Sequence, residues 1–143
     1  MIEMSDDDTD ERYTPDEVWV PLNRLFNFEL DPCAASGNRL NTPHFYTKEG
    51  NGLLQSWKAM KCFVNMPYSD IYSWAEKAVK EASLGAFVAI IVPNDSTTKY
   101  YRLLEKNKWG DWKPPFRAKF LTPDGRKVDV SRSHIVFFLG GLP

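Results

Sequence analysis

The residues best suited to chemistry lie in the stretch Cys62-Phe63-Val64-Asn65-Met66-Pro67-Tyr68-Ser69, where a hydrophobic run stops at Asn-Met-Pro-Tyr. Pro67 pushes Met66 out of the α region, so the backbone after Asn65 is held away from an immediate helical turn. One rigid loop then presents an amide side chain, a main-chain carbonyl and the ring of Tyr68. Asn65 and Ser69 could equally satisfy a turn, with Tyr68 closing the edge of a core. The local sequence leaves both readings open. A second candidate is Asp31, a carboxylate at the end of the alternating run Phe26-Asn27-Phe28-Glu29-Leu30; placed before Pro32, it could also simply start a turn.

Positioning these groups requires strands that end at them and helices that cover the strands. Thr14-Pro15-Asp16-Glu17 has the form of a capping box, with Thr14 as N-cap, Pro15 at N1 and Glu17 reaching back. The helix it starts would carry Val18, Leu22, Leu25 and Phe26 on one face, with Pro21 kinking or shortening it. Phe26–Leu30 reads as a strand, 36–58 as a surface excursion with one short element, and Lys61–Val64 as a second strand. Ser69 or Asp70 caps the next helix, whose Ile71, Trp74, Ala75, Ala78, Val79 and Ala82 form one buried stripe ending at Gly85.

Ala86–Val92 is apolar throughout, as in a strand buried on both faces, and Pro93 closes it. A helix over Thr98–Asn107, two strands within Ala118–Val130 around the turn Thr122-Pro123-Asp124-Gly125, and a last strand Ile135–Leu139 complete the chain. The succession predicts a small α/β sandwich with a hairpin near its end. In open α/β sheets, ligands bind beyond the carboxyl ends of the strands, where both Asp31 and Asn65 fall.

Composition limits the alternatives. The 143 residues, 43% hydrophobic and 14% aromatic, suit one compact domain over 13–143. No apolar run approaches the roughly 20 residues of a membrane helix. The start has neither the basic residues nor the apolar core of a secretory signal, and two cysteines are too few for a disulfide framework, so a reducing cytoplasm is expected. Neither cysteine has a partner at zinc spacing, and His44 and His134 stand alone, so no metal site is expected. The net charge of −1 conceals a balance of −5 over residues 1–12, an acidic, apolar-poor stretch expected to be a disordered tail, and about +4 over the rest.

Taken in order, Thr14-Pro15, Phe28-Glu29-Leu30-Asp31-Pro32-Cys33-Ala34-Ala35-Ser36, Phe45-Tyr46-Thr47, Gly52-Leu53-Leu54 with Trp57, Val64-Asn65-Met66-Pro67-Tyr68-Ser69 with Trp74 and Lys77-Ala78, Ala89-Ile90-Ile91-Val92-Pro93 with Thr97-Thr98, and Phe116-Arg117-Ala118-Lys119-Phe120 resemble the small phage-type DNA N6-adenine methyltransferase family from about residue 14 to 139. The resemblance implies a Rossmann-like, three-layer methyltransferase fold and S-adenosylmethionine as cofactor.

It also implies that the Asn-Pro-Pro-Tyr loop of amino-methyltransferases maps onto Asn65, Met66, Pro67 and Tyr68. An exocyclic adenine amine is a poor nucleophile because its lone pair is delocalised into the ring. The Asn65 amide oxygen and the Met66 carbonyl would accept its two hydrogens, while Tyr68 stacks on a base swung out of the duplex. Catalysis would be positioning in line with the sulfonium methyl.

For the cofactor, the resemblance points to Asp31, against either the ribose hydroxyls or the charged methionine part, with Cys33 and Ala34 beside it and Thr14-Pro15 at the methionine end. Met66 stands where the family usually has proline. The carbonyl survives that change, but Asn65 loses the restraint of a following proline, so restoring proline at 66 is expected to raise the activity of a loosened loop. Asn51 stands where the family tends to carry an acid, with Glu49 as a candidate substitute, and the chain lacks the Phe-x-Gly-x-Gly loop of many methyltransferases.

Nucleic acid requires positive charge. Residues 99–134 hold ten Lys and Arg against four acids, interleaved with Tyr100, Tyr101, Trp109 and Trp112. Ser69, Lys99, Lys113, Arg117 and Lys119 are the candidate contacts, Arg117 and Lys119 alternating on one strand face; the alternative is a solvated face over core aromatics. With no separate sequence-reading domain, loose specificity is expected, and two such small domains could pair across one duplex. The expected function is that of a phage or prophage enzyme that methylates adenine N6 in DNA, duplex or single-stranded, within the bacterial host's cytoplasm. A competing reading is a catalytically degenerate methyltransferase fold that binds cofactor, nucleic acid or a host protein, and a third keeps the enzyme but changes the acceptor to RNA or a protein amide.

Overall fold

The structure is a computed structural model that describes residues 13–35, 37–115, 120–121, 127–128 and 133–141. The expected acidic tail therefore lies outside the described residues. Six strands form one sheet, in the order β2 (His44–Phe45), β1 (Leu30–Asp31), β3 (Lys61–Val64), β4 (Phe87–Pro93), β8 (His134–Leu139), β5 (Gly110–Trp112). The first four run parallel; β8 is antiparallel to both β4 and β5. A separate antiparallel pair, β6 (Phe120–Leu121) and β7 (Lys127–Val128), sets Phe120 opposite Val128 where the hairpin was expected. The residues of its expected turn, Thr122–Gly125, lie outside the described ones.

Alternation along the buried strands divides the core between two faces, a division invisible in an all-apolar run. Cys62 and Val64 of β3, Val88, Ile90 and Val92 of β4, and Ile135, Phe137 and Leu139 of β8 pack beneath α2 (Ile71–Ser83) and α3 (Lys99–Asn107). Phe63, Phe87, Ala89, Ile91, Val136 and Phe138 pack on the opposite face beneath α1 (Asp16–Phe26). Helices thus cover both faces of a mixed sheet, in three layers. Each large side chain buried this way stabilises the fold by about 1.5–3 kcal/mol relative to exposure.

The expected helices form, with corrections at their ends. Pro15 is the N-cap of α1, and Thr14 is no cap: the amides of Val18 and Trp19 donate to the Pro15 carbonyl instead. Pro21 has no N–H to offer its helix, yet α1 runs on to Phe26. Its buried face is Val18, Trp19 and Leu22 rather than one reaching Leu25, which is exposed. Trp19 lies 5.6 Å from Phe28 and 5.2 Å from Phe63, ring centre to ring centre.

The expected strand Phe26–Leu30 is overturned over its first half, because Asn27 adopts a left-handed conformation (φ 55°) at the end of α1; the strand is Leu30–Asp31, preceded by Glu29, whose amide donates to the Lys61 carbonyl at 2.8 Å and whose carbonyl accepts from the His44 amide at 3.0 Å. The Asn23 side chain holds that exit, accepting from the Phe28 amide at 2.9 Å. Thr98 caps α3, its hydroxyl accepting from the Tyr101 amide. Gly85 follows α2 at φ 108°, as expected of a helix-ending glycine.

Candidate active site

β1 lies between β2 and β3: chain order runs from it to β2 on one side, then back across to β3 on the other. This reversal opens a crevice at the carboxyl ends of β1 and β3, the usual ligand position in open α/β sheets. A cleft of about 410 Å³ lies there. From the β1 side it is lined by Asp31, Pro32, Cys33 and Ala34, and from the β3 side by Asn65, Met66 and Pro67. The two candidate groups that the sequence put at strand ends thus face one cavity.

The β1 loop is pinned by the segment after β2. The Tyr46 amide donates to the Asp31 carbonyl (3.0 Å) and the Ala34 amide to the Tyr46 carbonyl (2.9 Å), so the ladder continues past the strands. Gly52 presses against Pro32 so closely that a Cβ there would sit 1.9 Å from the Pro32 carbonyl oxygen. Buried Trp57 fixes that approach, donating from Nε1 to the Gly52 carbonyl at 2.9 Å, while its own amide donates to Glu81 of α2 at 2.6 Å. Lys77 completes the brace, with Nζ 3.3 Å from the Glu81 carboxylate. Trp57 is thus a structural anchor of the cleft.

Asp31 is only 5% exposed, and burial pushes its carboxyl from 3.8 up to about 7, against the smaller opposing pull of the Cys33 amide, which donates to Oδ1 at 3.2 Å. The folded chain therefore holds a proton on Asp31 between about pH 4 and 7 that the unfolded chain has lost. The stabilisation this gives is complete below about pH 4 and lost as pH rises through 7. Asp31→Asn, which cannot ionise, should be more stable than wild type at pH 8 by about 2–4 kcal/mol, an advantage that shrinks toward pH 4.5. Urea unfolding of both proteins across that range checks it; a difference independent of pH would contradict it.

On the β3 side, Asn65 Nδ2 donates to Thr14 Oγ1 at 2.8 Å. Thr14 is buried and also lines the cleft. Met66 is 1% exposed and belongs to the core beside Trp74. That burial adds a cost the sequence could not reveal: Met66→Pro should destabilise the fold by about 1–3 kcal/mol whatever it does to the loop. A lowered urea midpoint is the expected readout, and an unchanged one would contradict it.

Tyr68 is not among the cleft-lining residues; it opens a 3-10 turn (Tyr68–Asp70), and a 2.8 Å hydrogen bond joins its hydroxyl to Nε2 of His134 on β8. Burial pushes His134 down to about 4, so its ring is neutral at pH 7.

Of the other expected residues, Pro15 is buried at the start of α1 and does not line the cleft, and Ser69 is exposed in the turn. Lys99 and Lys113 are exposed at the start of α3 and just after β5. Arg117 and Lys119 lie outside the described residues. Asn51 lines the cleft, while Glu49, the candidate substitute for an acid, does not; its carboxylate accepts from the Thr47 hydroxyl. Sequence reasoning missed Arg39, Lys48, Tyr13 and Trp74 as cleft residues. The Arg39 guanidinium sits 4.6 Å from the Tyr13 ring centre, a cation–π contact with no local sequence signature.

The chain matches the family described as DNA N-6-adenine-methyltransferase (Dam) over residues 2–113. It belongs to this family. The Dam match ends before Phe116–Phe120, so the stretch read as the family's late Arg-containing strand is not covered by it. A DNA N-6-adenine-methyltransferase of Haemophilus phage HP1 (strain HP1c1) is 30% identical over 97 residues, 66% of this chain and 56% of the phage protein. The chain thus spans little more than half the length of that Dam relative. No solved structure matches it. Among the described residues, no helix is long and apolar enough to cross a membrane.

Proposed function

We propose that this chain is a Rossmann-like enzyme that transfers the methyl group of S-adenosylmethionine to N6 of adenine in DNA. The observation that carries the reading is the convergence of Asp31 and Asn65 on one cleft at the reversal of strand order, in a chain of the Dam family. The cleft suits the cofactor in size and polarity. Its volume falls in the range of small-molecule sites, and Leu40, Leu53 and Trp74 supply apolar walls. Buried Asp31 offers an acceptor for a hydroxyl or ammonium group, and the exposed Arg39 and Lys48 offer partners for a carboxylate. Bound there, the cofactor supplies an electrophilic methyl on a positively charged sulfur.

The remaining work belongs to the loop after β3. Asn65 Oδ1 and the Met66 main-chain carbonyl accept the two hydrogens of the adenine amine and draw its lone pair out of conjugation. Tyr68 stacks on the extruded base, and holding the nitrogen in line with the methyl carbon lowers the barrier by orientation. Ser69, Lys99 and Lys113 are exposed and are the candidates to meet the nucleic-acid backbone, with Arg117 and Lys119 as further candidates. The reading keeps loose sequence specificity, a phage or prophage origin and action in the host's cytoplasm.

Incubation with methyl-labelled S-adenosylmethionine and, separately, duplex DNA, single-stranded DNA, RNA and a protein mixture tests it. Label entering DNA supports the proposal. Label entering only RNA or protein would overturn the acceptor, and label entering none, with S-adenosylhomocysteine still bound, would leave a binding module.

A further inference from the structure

Pro67 restrains Met66, but nothing in the sequence restrains Asn65 in the same way, since the residue after it is not proline. A loop whose two reacting side chains wander over several rotamers would hold its substrate poorly, because orientation is what such a site contributes. Two hydrogen bonds from outside the loop address this. Thr14, 51 residues away in sequence and 5% exposed, accepts from Asn65 Nδ2 at 2.8 Å. His134, 66 residues away and 2% exposed, meets the Tyr68 hydroxyl at 2.8 Å, its ring 6.1 Å from the Tyr68 ring at 28°.

Both anchors are themselves held. Thr14 sits where the chain enters α1 and packs into the wall of the cleft. His134 opens β8, paired opposite Pro93 in the longest ladder of the sheet. We propose that Thr14 and His134 are positioning residues for methyl transfer, Thr14 orienting the Asn65 amide and His134 fixing the Tyr68 ring.

This rests on the methyltransferase reading above. Thr14 turns the Asn65 group so that Nδ2 points away from the amine and Oδ1 is the end presented. His134 removes the swing of the Tyr68 ring about its χ1 axis, leaving one stacking plane. Neither touches the reacting atoms. The effect therefore falls chiefly on turnover; His134 does not line the cleft, so its loss changes cofactor affinity little, while loss of the Thr14 hydroxyl, which does line it, costs affinity less than it costs turnover.

The test compares Thr14→Val with Thr14→Ser, and His134→Leu with His134→Gln, in the full-length protein, measuring methyl transfer to duplex DNA and binding of S-adenosylhomocysteine. Thr14→Val and His134→Leu should each lower kcat about 10- to 100-fold; the S-adenosylhomocysteine Kd should stay within about threefold in His134→Leu, and in Thr14→Val, whose side chain lines the cleft, rise by much less than kcat falls. Thr14→Ser and His134→Gln, which keep a hydrogen-bonding group, should recover most of the loss. The Asn65 side-chain amide protons, observed by NMR, should lose their hydrogen-bonded shift in Thr14→Val and regain it in Thr14→Ser.

Wild-type methylation with kcat unchanged in Thr14→Val or His134→Leu would overturn the positioning role and leave the enzyme reading standing. A fall in cofactor affinity as large as the fall in kcat would overturn it too. No methylation by wild type would overturn both, and is told apart because the parent fails with its variants.

Discussion

Asn65→Ala should lower kcat for adenine methylation by about 10²–10³, with a much smaller change in the KM for S-adenosylmethionine. Losing one preorganised hydrogen-bonding group at a reacting centre costs about 2.7–4 kcal/mol of transition-state stabilisation where such groups have been removed singly. Asn65 is half-buried, lines the cleft and is fixed by Thr14, so its replacement removes a preorganised group rather than a mobile one. The Met66 carbonyl survives because the backbone is unchanged, which sets the floor of residual activity. Single-turnover kinetics at saturating cofactor separates this loss from any change in binding; a kcat within threefold of wild type would mean that the amide takes no part.

Gly52→Ala should destabilise the fold by about 2–4 kcal/mol and abolish binding of S-adenosylhomocysteine. The added Cβ would lie 1.9 Å from the Pro32 carbonyl oxygen and 2.9 Å from its carbon, with Trp74 at 3.2 Å, so the obstruction is backbone and not the tip of a flexible side chain. Relief requires the loop to separate from the Asp31–Ala34 segment, which breaks the wall of the cleft and strains the Trp57 bond to the Gly52 carbonyl. Gly50→Ala is the control, because the nearest atom to its Cβ is 3.6 Å away. Calorimetry and ligand titration of the pair check this; equal behaviour of the two variants would contradict it.

How much was legible depended on whether the determinant was local. Lys61–Val64 is bounded by its own composition and forms as expected, and the helix expected over Thr98–Asn107 forms as Lys99–Asn107 behind a Thr98 bond only three residues long. The reading of Asp31 and Asn65 as strand-end groups rested on the stops at Pro32 and Pro67, and both face the cleft. What failed was decided elsewhere in the chain. Phe26–Leu30 has strand alternation, but α1 continues through Phe26 and Asn27 turns left-handed. Thr14 has the sequence of a cap, yet its hydroxyl meets a side chain 51 residues away.

β5, Gly110–Trp112, carries no apolar period and exists through pairing with β8, as Gly110 opposite Phe138 illustrates. In the sequence His134 stands alone, without a neighbour at metal-ligand spacing. Its partner is a phenol, which no spacing rule would have found.

The central claim is tested most directly by mass-spectrometric counting of N6-methyladenine in unmethylated duplex DNA after incubation with the purified protein and S-adenosylmethionine, using Asn65→Ala as the blank. N6-methyladenine accumulating with wild type far above the level that the Asn65→Ala blank gives is the predicted result. No N6-methyladenine above the blank, from protein that is folded and binds S-adenosylhomocysteine, would contradict it.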